Sequence, residues 1–131
     1  MSVTSFLHLS GTDGGEFAVE AFRDAIVNQY PETDTEQSHS GSPAYDITWS
    51  RYSNCLQFEL KLDRTRRTLA VEYFNSKDRI RDYAKLILWI RRYFPKEKEV
   101  VLVDENNEAQ MPLSPEAEIA EIEAWLVRVG I

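Results

Sequence analysis

Between Asp78 and Phe94, apolar side chains recur at Ile80, Tyr83, Ala84, Ile87, Ile90 and Phe94, the spacing of an amphipathic helix. Arg79, Lys85, Arg91 and Arg92 hold much of the remaining surface. Leu86, Leu88, Trp89 and Tyr93 widen the apolar arc beyond one stripe. The helix is therefore expected to touch a sheet on one side and a second element, or a partner, on the other. Ser76 is placed to cap its start. Pro95 ends it, because a residue preceding proline disfavours helical backbone.

The pattern on either side predicts what covers this helix. Val3 to Leu9 has the alternation of a short strand, with Val3, Leu7 and Leu9 on one face. A break at Thr12 to Gly15 leads into a helix reaching about Tyr30, with Asp13 and Glu16 at the spacing of a capping pair. Phe17, Phe22, Ala25 and Ile26 would face inward, and Glu20, Arg23 and Asp24 outward. Residues 31–43 hold no large apolar side chain and predict an exposed loop, longer than a simple connector. Three alternating runs follow, carried by Tyr45, Ile47 and Trp49, then Leu56, Phe58, Leu60 and Leu62, then Leu69, Val71 and Tyr73. They predict an antiparallel meander whose last turn spans Asp63 to Arg67. Beyond the central helix, Val100 to Val103 is a compact apolar strand, Asp104 to Asn107 has hairpin-turn chemistry, and Ala109 to Leu113 is its return. Ser114, Pro115 and Glu116 predict a capped helix start, with Ile119, Ile122, Leu126 and Val129 inward. The expectation is one α+β domain over residues 1–131, a sandwich of order β-α-βββ-α-ββ-α with an antiparallel or mixed sheet packed by helices.

Composition adds that the chain folds without staples: 131 residues at 43% apolar content bury a real core. The single Cys55 leaves no internal disulfide and suits a reducing compartment. With neither an apolar leader nor a membrane-length apolar run, the expected location is the cytoplasm. Charge changes the picture more. Residues 1–50 carry eight acidic side chains against one basic, residues 51–98 thirteen basic against six acidic, and residues 99–131 eight acidic against one basic. Either these blocks lie side by side and neutralise one another, or the acidic ends form one negative surface that steers a basic partner. The net charge of −7 argues against nucleic acid as a direct ligand.

No catalytic signature is present. His8 and His39 lie in unrelated contexts, no Cys/His cluster has metal-ligand spacing, and Cys55 lacks a placed base. Gly14 and Gly15 between strand and helix lack the further glycines and lysine of a phosphate cradle, and are read as a turn. Arg64, Arg66 and Arg67 crowd one turn and could grip an anion or simply keep a hairpin tip soluble. Three tryptophans and six tyrosines offer more aromatic surface than a small core needs, and such residues anchor interfaces, although most of them are expected in the core. No enzyme, cofactor or metal is expected.

The run from Ala84 through Trp89 and Arg91 to Pro95, the strand Val100 to Val103 ending in Asp104 and Glu105, and the Met111, Pro112, Leu113 step into an acidic capped helix together resemble small acidic immunity proteins encoded beside bacterial polymorphic toxins. The resemblance covers about Ala84 to Leu126. It implies a non-enzymatic protein that binds and occludes a cognate toxin; the acidic ends of the chain add the expectation of a basic surface on that partner, and the chain is expected to be a monomer or homodimer. The candidate partner-binding residues are Asp13, Glu16, Glu20, Asp24, Glu32, Asp34, Glu36, Glu116 and Glu121, the acidic elements of the two ends. The element order is also similar to class I type III secretion chaperones, which gives the alternative of an effector chaperone. A small enzyme or ligand-binding module is the third reading.

Overall fold

A computed structural model describes residues 4–11, 14–38 and 44–131. In chain order the elements are β1 (Ser5–Leu9), α1 (Val19–Gln29), β2 (Asp34–Gln37), β3 (Tyr45–Tyr52), β4 (Leu56–Asp63), β5 (Thr68–Ser76), α2 (Arg79–Arg91), β6 (Val100–Asp104), β7 (Gln110–Pro112) and α3 (Ile119–Arg128). The strands form one seven-stranded sheet of order β2-β3-β4-β5-β1-β6-β7, every neighbouring pair antiparallel. This is the expected α+β arrangement with one addition. The segment read as a loop from residue 31 contains β2, four exposed residues paired to β3. Its polar sequence carries no inward alternation because an edge strand needs none; backbone pairing with Asp34 opposite Ser50 and Gln37 opposite Ile47 holds it. The part of that segment at residues 39–43 lies outside the described residues.

The helices pack on one face of the sheet. Leu7, Leu9, Ile47, Trp49, Phe58, Leu60, Leu62, Leu69, Val71, Val100 and Leu102 point to that face and are fully or almost fully buried. They share one apolar cluster with Phe22 and Ile26 of α1, Tyr83, Ala84, Leu86, Ile87 and Ile90 of α2, and Ile122, Trp125 and Leu126 of α3. The central helix is as broad in its contacts as its apolar arc implies. Phe22 of α1 packs on Trp49 of β3, and on Trp89 and Tyr93 of the α2 end, with ring centroids 4.8, 5.3 and 5.2 Å apart. Arg91, about half a turn away around α2, reaches instead to the Leu113 carbonyl ahead of α3 at 2.7 Å. The three tryptophans are core residues rather than surface anchors: Trp49 is 0% exposed, Trp125 2% and Trp89 9%.

Two bulges change the phase of the strands. In β5 the register passes from Glu59 opposite Tyr73 to Leu60 opposite Val71, so Glu72 is the extra residue. Val71 therefore faces the core, and Tyr73 turns to the other face while Phe74 takes the inner place. Strict alternation through Leu69, Val71 and Tyr73 does not survive this shift. In β3 the pairs Tyr45 with Asp63 and Ile47 with Leu62 leave Asp46 as the extra residue.

Helix starts also differ from expectation, each for a local reason. α1 begins at Val19 with Ala18 as cap position and no capping side chain, because the Phe17 and Ala18 N–H groups are already used on the Arg66 and Tyr93 carbonyls at 2.8 and 2.7 Å. Of the expected capping pair, Asp13 is outside the described residues and Glu16 is exposed. Ser76 ends β5 rather than capping α2, whose cap position is Asp78. Ser114 caps a separate turn, accepting the Glu116 N–H at 3.1 Å, and α3 starts later, where the Glu118 N–H donates to Glu121 Oε1 at 3.2 Å.

Candidate functional site

Among the described residues, no helix lies over the second face of the sheet. From one edge to the other it presents Asp34 and Glu36 of β2, Thr48, Ser50 and Tyr52 of β3, Gln57, Glu59 and Lys61 of β4, Thr68, Ala70 and Tyr73 of β5, Phe6 and His8 of β1, and Val101 and Val103 of β6. This follows from register, since cross-strand partners share a face. Phe6 lies between Ala70 on one side and Val103 on the other. Ala70 is 0% exposed and Val103 9%, yet neither belongs to the main apolar cluster. The open face therefore has a small apolar centre of its own.

Around that centre the backbone forms a groove of about 530 Å³, lined by Phe6, His8, Ser10, Thr68, Glu99, Val101, Val103, Asp104, Glu105, Asn107 and Gln110. His8 Nδ1 and Thr68 Oγ1 are 2.7 Å apart across β1 and β5. Asp104 is held by its own hairpin: Oδ1 accepts the N–H groups of Glu108 and Ala109 at 2.8 and 3.0 Å, and Asn107 takes a left-handed backbone at φ 57°. Three carboxylates line this groove and no lysine or arginine does.

Toward the β3 edge lies a second patch of Tyr52, Tyr73, Glu59 and Glu72. The Tyr52 hydroxyl donates to Glu59 at 2.7 Å and the Tyr73 hydroxyl to Gln57 at 3.0 Å. The bond to Glu59 stabilises the protonated phenol and pushes Tyr52 up to about 12. Tyr52 remains 60% exposed, an aromatic side chain presented to solvent.

The arginines of the middle block are largely spent on the chain itself. Arg91, 1% exposed, donates to the carbonyls of Leu113, Pro95 and Lys98 at 2.7, 3.2 and 2.9 Å. Arg67 fans onto the carbonyls of Leu9, Ser10, Gly11 and Gly15. Gly15 is needed there: it has φ 101°, and a Cβ would come within 3.1 Å of Pro95 Cγ. Arg66 donates to both carboxylate oxygens of Asp46, which holds that carboxyl below its usual range. Arg51 donates to the carbonyls of Pro31 and Leu56. Arg66 and Arg67 of the crowded turn thus neither wave in solvent nor await an external anion; they staple strands and loops.

The acidic residues expected to bind a partner are dispersed. Glu16, Glu20 and Asp24 are exposed on and before α1, Glu32 is in the following turn, Glu116 is exposed ahead of α3 and Glu121 in its first turn. α1 and the segment leading into α3 meet opposite sides of α2, with cationic Arg81, Lys85 and Arg92 exposed on that helix. Arg81 pairs with Glu123 at 3.7 Å, so acid and base do lie side by side in the helix layer. Asp34 and Glu36 are set apart from the rest, because register places them on the open sheet face, and Asp13 lies outside the described residues. Phe6, Val101, Val103 and Tyr73 were not legible as surface residues. The available signal was the unbroken apolar run Val100 to Val103: a strand covered on one face has no inner use for its alternate members.

Among the described residues, no group of three or more His, Cys, Asp and Glu side chains could hold a metal ion, and no helix is long and apolar enough to cross a membrane. No family model, curated protein or solved structure matches the chain.

Proposed function

We propose that this chain is a non-enzymatic immunity protein, an antitoxin that binds a cognate bacterial toxin in the cytoplasm and neutralises it by occluding its working surface. The observation that supports this reading best is the uncovered sheet face. It combines a compact apolar centre at Phe6, Ala70, Val101 and Val103 with carboxylates at Asp34, Glu36, Glu59, Glu72, Glu99 and Glu105 and one lysine, Lys61. An apolar centre with a charged rim is the anatomy of a protein interface. The sign of that rim favours a partner with a basic surface, captured quickly and held in register by charge. The resemblance carried by Ala84 to Leu126 supports the same class of function.

The test has two steps. A tagged copy is used to recover its partner from the native bacterial lysate, and the recovered domain is then expressed with and without this protein. The expected result is one basic toxin domain held at a fixed ratio, whose growth arrest is relieved by co-expression. Tight binding without relief of growth arrest rejects neutralisation. Association is also expected to slow by roughly tenfold or more as salt is raised from low to physiological strength; a salt-independent rate rejects electrostatic capture.

A further inference from the structure

Resting on that reading, we propose that the groove beside β6 receives a single arginine side chain of the basic partner. An arginine has two requirements, an apolar surface for its methylene stem and planar π-face, and oxygen acceptors for its fork of donors. The groove offers both in the right order. Phe6, Val101 and Val103 form its floor, and Glu99, Asp104 and Glu105 stand among its lining residues. The exposed carboxylates of Glu99 and Glu105 are the acceptors available to a ligand, while Asp104, fixed by two backbone N–H groups of its own hairpin, holds the rim in place. The ring of Phe6 supplies a stacking surface for a guanidinium. At about 530 Å³ the space is larger than an isolated side chain needs and takes the flanking backbone of the partner as well.

Alternative occupants are less well matched. A neutral apolar side chain would leave three carboxylates facing it without gain, and an anion would be repelled by them. A second copy of this chain brings an overall charge of −7 to an acidic groove.

The probe is N-acetylarginine amide, titrated into the isotope-labelled full chain while the valine methyl and aromatic resonances are followed by NMR. N-acetylcitrulline amide, the neutral isostere, is the control. Saturable shifts are expected at Phe6, Val101 and Val103, reached at roughly tenfold lower concentration with arginine than with citrulline. The double variant Glu99→Gln/Glu105→Gln changes two exposed residues and should abolish that preference with the fold unchanged. Equal responses to the two probes overturn the proposal, as do shifts confined to the helix layer or no shift up to about 50 mM, where a millimolar site is filled. Light scattering that finds a dimer whose contact protects the groove also overturns it. The outcomes separate this inference from the immunity reading. Arginine binding in the groove with no relief of toxicity rejects the immunity function alone. Relief of toxicity that survives Val101→Lys, with no probe binding, rejects the groove assignment alone.

Discussion

Val101 and Leu102 are neighbours on β6 and meet opposite conditions. Leu102 is 0% exposed beneath the helices, while Val101 lines a groove open to solvent on the other side of the same strand. The same division runs across the sheet. On the helix side the core positions of the strands are almost fully buried, and two polar groups there tie elements together: the Ser5 hydroxyl is 2.7 Å from the Tyr83 hydroxyl, and Arg91 collects carbonyls between α2 and α3. On the open side, apolar patches are small and carboxylates face water. The contrast teaches that stability is concentrated in one face, which leaves the other available to be shaped by a partner. It also explains the charge blocks of the sequence. Four arginines of the middle block, Arg51, Arg66, Arg67 and Arg91, are used as staples, while Arg81, Lys85 and Arg92 stay exposed in the helix layer, away from the carboxylates of the open face.

The sharpest way to break this comparison is to truncate matched aromatic residues. Phe22→Ala empties a site ringed by Trp49, Trp89 and Tyr93 and is expected to cost about 3–5 kcal/mol in denaturant unfolding. Phe6→Ala on the open face should cost about 1 kcal/mol or less. Similar losses for the two would mean that the open face is as structural as the core.

Arg91 gives the next largest effect. Arg91→Met keeps the stem but leaves several buried carbonyls without donors, and a loss of about 3 kcal/mol is expected. Arg92→Met, one residue on and exposed, should stay within about 0.5 kcal/mol. Equal effects would dismiss the staple role.

Titration sharpens the account at both ends of the pH scale. Because the folded carboxyl of Asp46 is depressed by Arg66, its stabilisation is present above the ordinary carboxylate pKa and is lost as pH falls through the folded value. Asp46→Asn should therefore lower stability at neutral pH by about 2 kcal/mol and flatten the acid limb. Burial lifts Tyr30 to about 12, and it also raises Tyr83. These groups contribute stability that is present below the unfolded value near 10 and lost as pH rises through the folded values. Tyr83→Phe should make the alkaline limb shallower, at a cost near neutrality of about 1 kcal/mol for the Ser5 bond. An unchanged alkaline limb would remove Tyr83 from the explanation.

The smallest stability effect belongs to the acids of the sheet edge. Asp34→Lys with Glu36→Lys is expected to change folding by less than about 0.5 kcal/mol, since both are exposed, while reducing partner association markedly.

Element type and order were legible because periodicity reports burial, and outside β2 the core faces of the strands follow it except at the bulges, where Tyr45 of β3 and Tyr73 of β5 change face. The three inward stretches of the helices were legible for the same reason. What escaped depends on the register and on distant neighbours. The extra residue Glu72 moves Tyr73 to the open face, and nothing near it in sequence marks the bulge. The start of α1 moved because the Phe17 and Ala18 N–H groups bond to the distant Arg66 and Tyr93 carbonyls, and that of α3 because Ser114 caps only a short turn and a second cap at Glu118 follows it. The candidate site was legible only in part. The candidate acids among the described residues are exposed, whereas Asp46 of the same N-terminal block is buried, and grouping by sequence block concealed that Asp34 and Glu36 share a face with Val101 while Glu20 and Glu121 do not.

The most direct test of the open-face account is the dissociation constant of the partner toxin domain for two charge-reversal variants, measured by calorimetry. One is Glu59→Lys/Glu99→Lys/Glu105→Lys on the sheet face, and the other is Glu20→Lys/Asp24→Lys on α1. The account predicts a loss of at least about 30-fold for the first, the scale of an interface hot spot, and little change for the second. Strong weakening by the α1 variant with the sheet-face variant unaffected would place the interface on the helices and contradict the account.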